Sequence, residues 1–505
     1  MTILKKYDLL QTLLQGFEFT VSDCIKELVV EVNLQEKYWL TMIVYDSEGK
    51  VRGQFIHGNS SNTLTINCEV EKDPRCFAGS LPDGDWKVEI LIENDKTKGN
   101  RSIDQYDLIT IGHIVIKSEE ALDEREKTFH EKGENRSYAQ LESLVPNGKN
   151  NSIISRTNFN GKKQYNFFNN IVFKNDSCWY KGDFHTHTVY SDGQMKQEEN
   201  ICSAINQGLD FFVATDHNLV PSYWVDNNNF LVIPGTELTS IFGHTNLIGT
   251  YHSPFQDNSL FDLCTNQGMN RLIRSRDEDT IFSINHPFLT QWKWLFRETL
   301  LEDIDTIEII NDPTYYDNNL ASHTALKAWN LLLNDGFKIT GIGGSDSHMR
   351  PGETYEGSLL PSLIGDPITY VYANNLSCIS IVSGVKSGKV VVSRIGFIDF
   401  QIDGKCPGDK IKQSQGIAQV SIDADSDFFI QWIVNGKIVN QVFGSKSKFR
   451  FDFTNIIYAW IRVDIYSHDG NLYGFTNPIY YGEKNTSMET WGQILDLIEE
   501  EKIND

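Results

Sequence analysis

Nine side chains of metal-ligating chemistry recur in five short clusters along the middle of this chain, and only a fold that brings those clusters to one point lets them act together. The clusters are GDFHTHTVYSD, VATDHN, GTELTSIFGHTN, INHPF and GGSDSH; the side chains are His185, His187, Asp192, His217, Glu237, His244, His286, Asp346 and His348. Imidazoles and carboxylates in this mixture suit divalent ions such as Mn, Fe or Zn. Nine ligands exceed what one ion takes and match about three ions that share a bridging carboxylate. Taken singly, several have plainer readings. Asp216 and His217 make a hydrogen-bonded pair, Glu237 a helix cap or surface acid, and His286 before Pro287 a loop histidine. The joint pattern outweighs these, because all five clusters fall at the ends of strand candidates.

From about residue 176 apolar strand candidates alternate with helix candidates. The strands end at 185, 217, 238, 250, 287, 311 and 346, and helices are predicted over 196–207, 267–275 and 321–334. Such alternation indicates a parallel α/β arrangement. Loops at the C-terminal strand ends of an α/β barrel converge on one mouth, and seven strands make a barrel one unit short of the usual number. In His185-Thr186-His187 the imidazoles lie two apart, so an extended backbone puts both on one face. Asp346-Ser347-His348 repeats that spacing after ITGIGG, whose glycines let the backbone approach a crowded site.

The flanks read differently. Runs such as IKELVVEV, YWLTMIVYD, TLTINCEV and DWKVEILIE, separated by HGNSSN and LPDGD, have the rhythm of an antiparallel sandwich from about 17 to 117. The β pattern returns from about 396 with FIDFQIDG, FFIQWIVNG and AWIRVDIYS. The expected domains are therefore an N-terminal sandwich over 1–117, a helical or linker segment over 118–175 containing EEALDEREKTFHEKGE, and the ligand-bearing α/β segment over 176–395. A C-terminal sandwich over 396–484 and a helix over 485–505, with Ser487 as candidate N-cap, complete the chain.

A net charge of −23 argues against an extended nucleic-acid footprint, which needs a basic face. The eight cysteines are dispersed without a CxxC pair, the N-terminus lacks the apolar run of a secretory signal, and no stretch of ~20 apolar residues predicts a membrane span. A cytoplasmic protein with reduced thiols is the expectation.

The motifs DFHTHTVYSDG, ATDHN, GTE, GHTN, NHP and GGSDSH make residues 176–395 resemble a PHP (polymerase and histidinol phosphatase) domain. That resemblance implies a distorted seven-stranded (β/α) barrel, here flanked by two all-β sandwiches, and two or three divalent metal ions. The whole chain looks closest to the carbaryl-hydrolase-like branch of metallohydrolases. Its matching features are Ile307-Glu308-Ile309-Ile310-Asn311, the stretch from Ala328 to Gly336, and the closing TNPIY. Carried over by motif, His185, His187, Glu237 and Asp346 hold a first ion. Glu237, His244 and His286 hold a second, and Asp192, His217 and His348 a third. His252 is the fallback for His244, and His323 reads as structural or substrate-facing.

The function so implied is metal-dependent hydrolysis of a small-molecule substrate, first a phosphoester. Water bridging two divalent ions ionises near pH ~7, so a bridging hydroxide is the expected nucleophile, with Glu237 and Asp346 central to catalysis. Arg350 is a candidate anion clamp or an exposed loop arginine. Cys178 and Cys202 read as core thiols. Asn218, Asn246 and Asn311 are candidates to orient ligands, while Trp292, Trp294, Arg297, Tyr315 and Tyr316 either roof the pocket or form a minor core. Two alternatives stand beside this reading. One is an ester, amide or carbamate hydrolase. The other is carbohydrate or protein binding through the sandwiches, which needs Tyr38, Trp39 and Trp86 to point outward. A polymerase-associated exonuclease and a histidinol-phosphate phosphatase fit less well, given the acidic charge and the flanking β domains.

Overall fold

A computed structural model describes residues 1–22, 24–35, 38–93, 110–120, 156–157, 163–165, 171–225 and 230–504. Strands dominate it, with five α-helices among the described residues. The first eight strands are β1 Thr2–Leu10, β2 Leu14–Val21, β3 Ile25–Leu34, β4 Trp39–Tyr45, β5 Val51–Ile56, β6 Thr63–Asn67, β7 Gly84–Glu93 and β8 Thr110–Glu120. They form two antiparallel sheets, β1-β8-β3-β6 and β2-β7-β4-β5. Alternate residues of a strand face opposite sides, and Leu28, Val30 and Val32 of β3 meet Trp86, Val88 and Ile90 of β7 in one core. The second sheet is covered on both faces. Ile43, Tyr45, Val51 and Leu91 belong to the core of the middle of the chain, which is why β4 and β5 are buried almost throughout. Strands begin at Thr2, ahead of the expected 17. The predicted helix in EEALDEREKTFHEKGE falls outside the described residues except for Glu119 and Glu120, which end β8.

The middle of the chain contributes β9 Arg156–Thr157, β10 Lys163–Tyr165, β11 Cys178–Thr186, β12 Phe211–Ala214, β13 Trp224–Val225, β14 Leu231–Ser240, β15 Gly243–Ile248, β16 Ile281–Ile284, β17 Thr306–Asn311 and β18 Thr340–Gly344. Strands β13, β10 and β9 make a small separate sheet. The other seven lie in the order β11-β12-β14-β15-β16-β17-β18. The ends of that series meet: Thr186 and Ser347 form a parallel bridge, Asp346 N donates to His185 O at 2.8 Å, and His187 N donates to Ser347 O at 3.3 Å.

Helices Gln197–Asn206, Asn266–Arg274 and Asn318–Asp335 stand where helices were predicted. The strictly parallel arrangement does not hold. Strand β15 runs antiparallel to both β14 and β16, because the chain reverses at once through Ile241 and Phe242 into Gly243 at φ 122°, a backbone region open chiefly to glycine. A hairpin there leaves no room for a crossover helix, and only a short 3-10 turn, Leu301–Asp303, precedes β17.

The last strands are β19 Ile368–Ala373, β20 Val390–Ser393, β21 Ile398–Ile402, β22 Lys410–Ile411, β23 Gln415–Ile422, β24 Phe428–Val434, β25 Lys437–Gly444, β26 Lys446–Asp452, β27 Tyr458–Tyr466, β28 Leu472–Thr476 and β29 Ile479–Gly482. Strand β19 pairs with the first half of β11, so the middle sheet continues through β20, β28, β27 and β24 to β25. The separate sheet β21-β23-β26 shares a core with it that includes Phe400, Val420, Trp432 and Val463.

The chain ends in helix Trp491–Asn504. Ser487 is not its N-cap. The Ser487 hydroxyl and the Ser487 and Met488 N–H groups all donate to the Asp335 carboxylate. Trp491, Ile494 and Ile498 are buried in the main core, at roughly 1.5–3 kcal/mol for each large apolar side chain. No helix among the described residues is long and apolar enough to cross a membrane.

Candidate metal centre

The structure brings all nine sequence-selected side chains together where the ends of β11 and β18 meet. His185 lies on β11 and His187 just beyond it; Glu237 and His244 lie on the paired strands β14 and β15. His217 follows β12, His286 follows β16, and Asp346 and His348 follow β18. Their ligand atoms form four overlapping groups: His187, Asp192, His217 and His348; His185, His187 and Asp346; His185, Glu237 and His286; and His217, Glu237 and His244.

Glu237 sits between the groups. Its Oε1 lies 3.2 Å from His185 Nε2, 3.3 Å from His244 Nδ1 and 3.4 Å from His286 Nε2. Its Oε2 lies 2.8 Å from His217 Nδ1 and 3.5 Å from His187 Nε2. Asp346 Oδ1 lies 3.0 Å from His187 Nε2 and 3.3 Å from His185 Nε2. Asp192 Oδ1 lies 3.1 Å from His348 Nε2 and 3.3 Å from His217 Nε2. The His185 and His187 side chains have no exposure, whereas those of Asp192 and His348 are 30% and 24% exposed. The site therefore opens on the Asp192 and His348 side.

Metal ions fit this arrangement. His185 Nε2, His187 Nε2, Asp192 Oδ1, Glu237 Oε2 and Asp346 Oδ1 are buried yet make no hydrogen bond, although buried polar atoms are ordinarily paired. They converge on each other instead, as ligands around a cation do. Two of the other ring nitrogens have partners of their own. His185 Nδ1 lies 3.1 Å from Glu308 Oε1, and His348 Nδ1 lies 2.7 Å from the Asp346 carbonyl.

The charges compensate without a metal. Burial disfavours every charge here, but His185, His244 and His217 outweigh it and hold the Glu237 carboxyl well below the usual range. His185 and His348 do the same for Asp346, and His348 and His217 for Asp192. Against the same burial, Asp192 and Glu237 raise His217 to about 10, and Asp192 and Asp346 raise His348 to about 9. Burial wins at His187, aided by His348 and His217, and lowers it to about 3; burial lowers His244 to about 4.

The backbone is bent to reach these positions. Asn218, His286 and Asp346 have φ of 50°, 27° and 47°, a conformation that costs non-glycine residues of order 1–3 kcal/mol each. Neighbouring bonds hold them there: Asn218 N donates to Glu237 O, His286 N to Glu308 Oε2, and Asp346 N to His185 O.

Glu308 is the main residue the sequence reading passed over in this role. It was noted only as part of a motif, yet as a buried acid within the apolar strand TIEIIN it carried a signal. It also accepts from Asn311, whose Nδ2 reaches Asp346 Oδ2 at 3.3 Å. Asn285 Nδ2 donates to Glu237 Oε1 at 2.8 Å, and Asp216 accepts from Ser191 and Thr188. From the N-terminal sandwich, Trp39 places its ring 4.9 Å from that of His217.

Other selected residues fall elsewhere. Arg350 is exposed, and its backbone N–H bonds to Glu353. Trp294 is buried in the main core, and Arg297 pairs with Asp496 of the C-terminal helix, so neither roofs the site. Trp292, Tyr315, Tyr316 and Tyr355 do form a set of ring contacts, and Tyr355 is close enough to Asp312 and Asp346 for burial and their charges to raise its hydroxyl. Asn218 bonds Thr239 and Thr41, and Asn246 donates to Phe184 O. His252 is exposed, and His323 stacks on Tyr466. Cys202 is exposed rather than a core thiol; all eight cysteines are free. Of the three aromatics that sugar binding through the sandwich would use, Trp86 is buried and donates to Pro82 O, Trp39 meets His217, and Tyr38 is half-buried.

No family model matches the chain, and no curated protein does. Among solved structures, a two-domain protein of Bacteroides vulgatus, described as containing a predicted PHP-like metal-dependent phosphoesterase, aligns at 17% identity and a TM-score of 0.34. The alignment covers 62% of this chain and 99% of that one. A proposed β-galactosidase of Bacteroides fragilis aligns at 9% identity and a TM-score of 0.18, over 95% of this chain and 74% of that one.

Proposed function

We propose that this protein is a multinuclear metal-dependent hydrolase of the PHP type, with a phosphoester as substrate. The observation that carries the reading is the convergence of buried, unpaired imidazole and carboxylate atoms around Glu237. In this reading β11 to β18 close as the distorted seven-stranded barrel, and the domain limits are those given from sequence. His185, His187, Glu237 and Asp346 hold one ion, Glu237, His244 and His286 a second, and Asp192, His217 and His348 a third. The set is Mn, Fe or Zn by donor chemistry. The free cysteines favour a reducing, cytoplasmic setting.

Bound there, divalent ions would activate water and neutralise charge on the phosphoryl oxygens. The chain supplies the rest. Glu308 fixes the His185 ring so that Nε2 faces inward, and Asn311 steadies Asp346. Glu237, tied to Asn285, keeps one oxygen toward His185, His244 and His286 and the other toward His187 and His217. Substrate enters on the partly exposed Asp192 and His348 side, and Arg350, exposed on the loop just beyond His348, is proposed as the clamp for an incoming anion.

A second reading, hydrolysis of an uncharged ester, amide or carbamate, is favoured by one observation: the aromatic cluster of Trp292, Tyr315, Tyr316 and Tyr355 adjoins the centre through Tyr355, on which Asp346 acts.

The deciding experiment measures p-nitrophenol release from an aryl phosphate and an aryl acetate, with Mn-reconstituted protein against a chelated control. Chelator-sensitive cleavage of the phosphate is the expected result. Cleavage of the acetate alone moves the protein to the second reading, and cleavage of neither removes support from both.

A further inference from the structure

The N-terminal sandwich does more than sit beside the metal centre; it reaches the turn that carries Asp192. Asn59 N donates to Ser191 O at 3.1 Å, and Asn59 Nδ2 donates to the carbonyls of Asp192 at 2.9 Å and Gly193 at 3.0 Å. Gly58 passes so close that a Cβ there would stand 1.4 Å from Ser191 O. Gln54 bonds Val220 in both directions, and Asn218 Nδ2 donates to Thr41 Oγ1 at 3.3 Å. Asp192 and His217, on the open side of the centre, are thus both framed by residues of the sandwich.

Trp39, the first residue of β4, stands in the same place. Its ring meets the His217 ring nearly at right angles, at 78°. Its Nε1 is buried and has no hydrogen-bond acceptor. Six other indoles, those of Trp86, Trp294, Trp329, Trp432, Trp460 and Trp491, each donate to a protein oxygen. An indole N–H shut off from water without an acceptor is unfavourable, so an acceptor that arrives with a ligand accounts for its placement.

We propose that Trp39 is a substrate-binding residue contributed by the N-terminal sandwich. Its indole N–H donates to an anionic oxygen of a phosphoryl group held at the Asp192, His217 and His348 group. The proposal rests on the phosphoester reading above and adds to it a specificity element outside the ligand-bearing segment. It also gives the sandwich a role: β4 and β5 complete one wall of the substrate site.

The test uses the full chain loaded with Mn and inorganic phosphate as the probe, followed by titration calorimetry. Wild type is compared with Trp39→Phe and with protein carrying the benzothiophene analogue of tryptophan at position 39, which keeps the ring shape and lacks the N–H. Bound Mn is measured on the same samples. The expected result is unchanged Mn content with phosphate affinity lowered about tenfold in both variants, the scale of one hydrogen bond to a charged group. Equal phosphate affinity in the analogue overturns the assignment of Trp39 and leaves the phosphoester reading standing. Loss of Mn from the analogue overturns it as well, by making Trp39 a support for the ligands. Wild-type protein that holds Mn and binds no phosphate overturns both readings together.

Discussion

Glu308 Oε1 lies 3.1 Å from His185 Nδ1, on the side of the ring opposite Nε2, the nitrogen that faces Glu237 and Asp346. The same carboxylate takes the His286 N–H at 2.9 Å through its other oxygen. One buried acid therefore holds two candidate ligands, His185 by its ring and His286 by its backbone N–H, from outside the cluster. Carboxylate partners of this kind fix the tautomer of a ligating imidazole and raise its basicity.

Glu308→Gln keeps the size of the side chain and weakens that acceptor. Metal affinity is expected to fall by about 10–100-fold, the usual scale for such partners, while the circular dichroism of the folded protein is retained. Competition with a fluorescent chelator measures it. An unchanged affinity would show that His185 is positioned by β11 alone.

Asp346→Asn removes a candidate ligand that stands 3.0 Å from His187 Nε2 and 3.3 Å from His185 Nε2. Metal ions contribute several kcal/mol of transition-state stabilisation in such sites, so turnover is expected to drop by about a thousandfold or more. Thermal unfolding of the metal-free variant should stay cooperative. Undiminished hydrolysis by this variant would refute the metal-dependent mechanism.

The residues that converge were readable because each cluster is local. Two histidines two apart at a strand end, or Asp-Ser-His after a glycine run, are patterns of a few residues. What joins the clusters is not local, and there the sequence said less. That β15 runs antiparallel follows from the two-residue reversal at Ile241 and Phe242, whereas strand ends read at 238 and 250 give the strands without their direction. Trp39 reads as any aromatic residue opening a strand; its contact with His217 spans two domains. The double-faced burial of β4 and β5 was likewise hidden, since YWLTMIVYD marks a strand without showing what covers its second side. Ser487 looked like a cap because a serine precedes a helical pattern, but Asp335 takes its hydroxyl from across the fold.

Gly344 offers a steric test of the crowding. A Cβ on Gly344 would stand 2.5 Å from His185 Cβ and 2.7 Å from Glu308 Oε1. Gly344→Ala is therefore expected to push β18 away from β11, with a stability loss of about 1–3 kcal/mol for overpacking and weaker metal binding together. Denaturant unfolding and metal titration of the same variant check the pair. A variant that binds metal normally would mean the two strands separate without disturbing His185.

Proton uptake and release give the last prediction. In the metal-free protein His217 and His348 titrate at about 10 and about 9, because Asp192, with Glu237 or Asp346, overcomes the burial that opposes their charge. These values lie above the ordinary ~6.5 of an unfolded histidine. Their contribution to stability is thus fully present below about pH 6.5 and is lost as pH rises through 9 to 10. A metal ligand must be the neutral imidazole, so binding at pH 7.5 displaces protons from His217, His348 and the similarly raised His185. Calorimetry of Mn binding in buffers of different ionisation enthalpy is expected to report release of more than one proton, up to about three. Affinity should rise with pH from 7 to 10 as those protons leave on their own. Release near zero at pH 7.5 would show that the imidazoles are already neutral, and that Asp192, Glu237 and Asp346 bear their charge unpaired until the metal arrives.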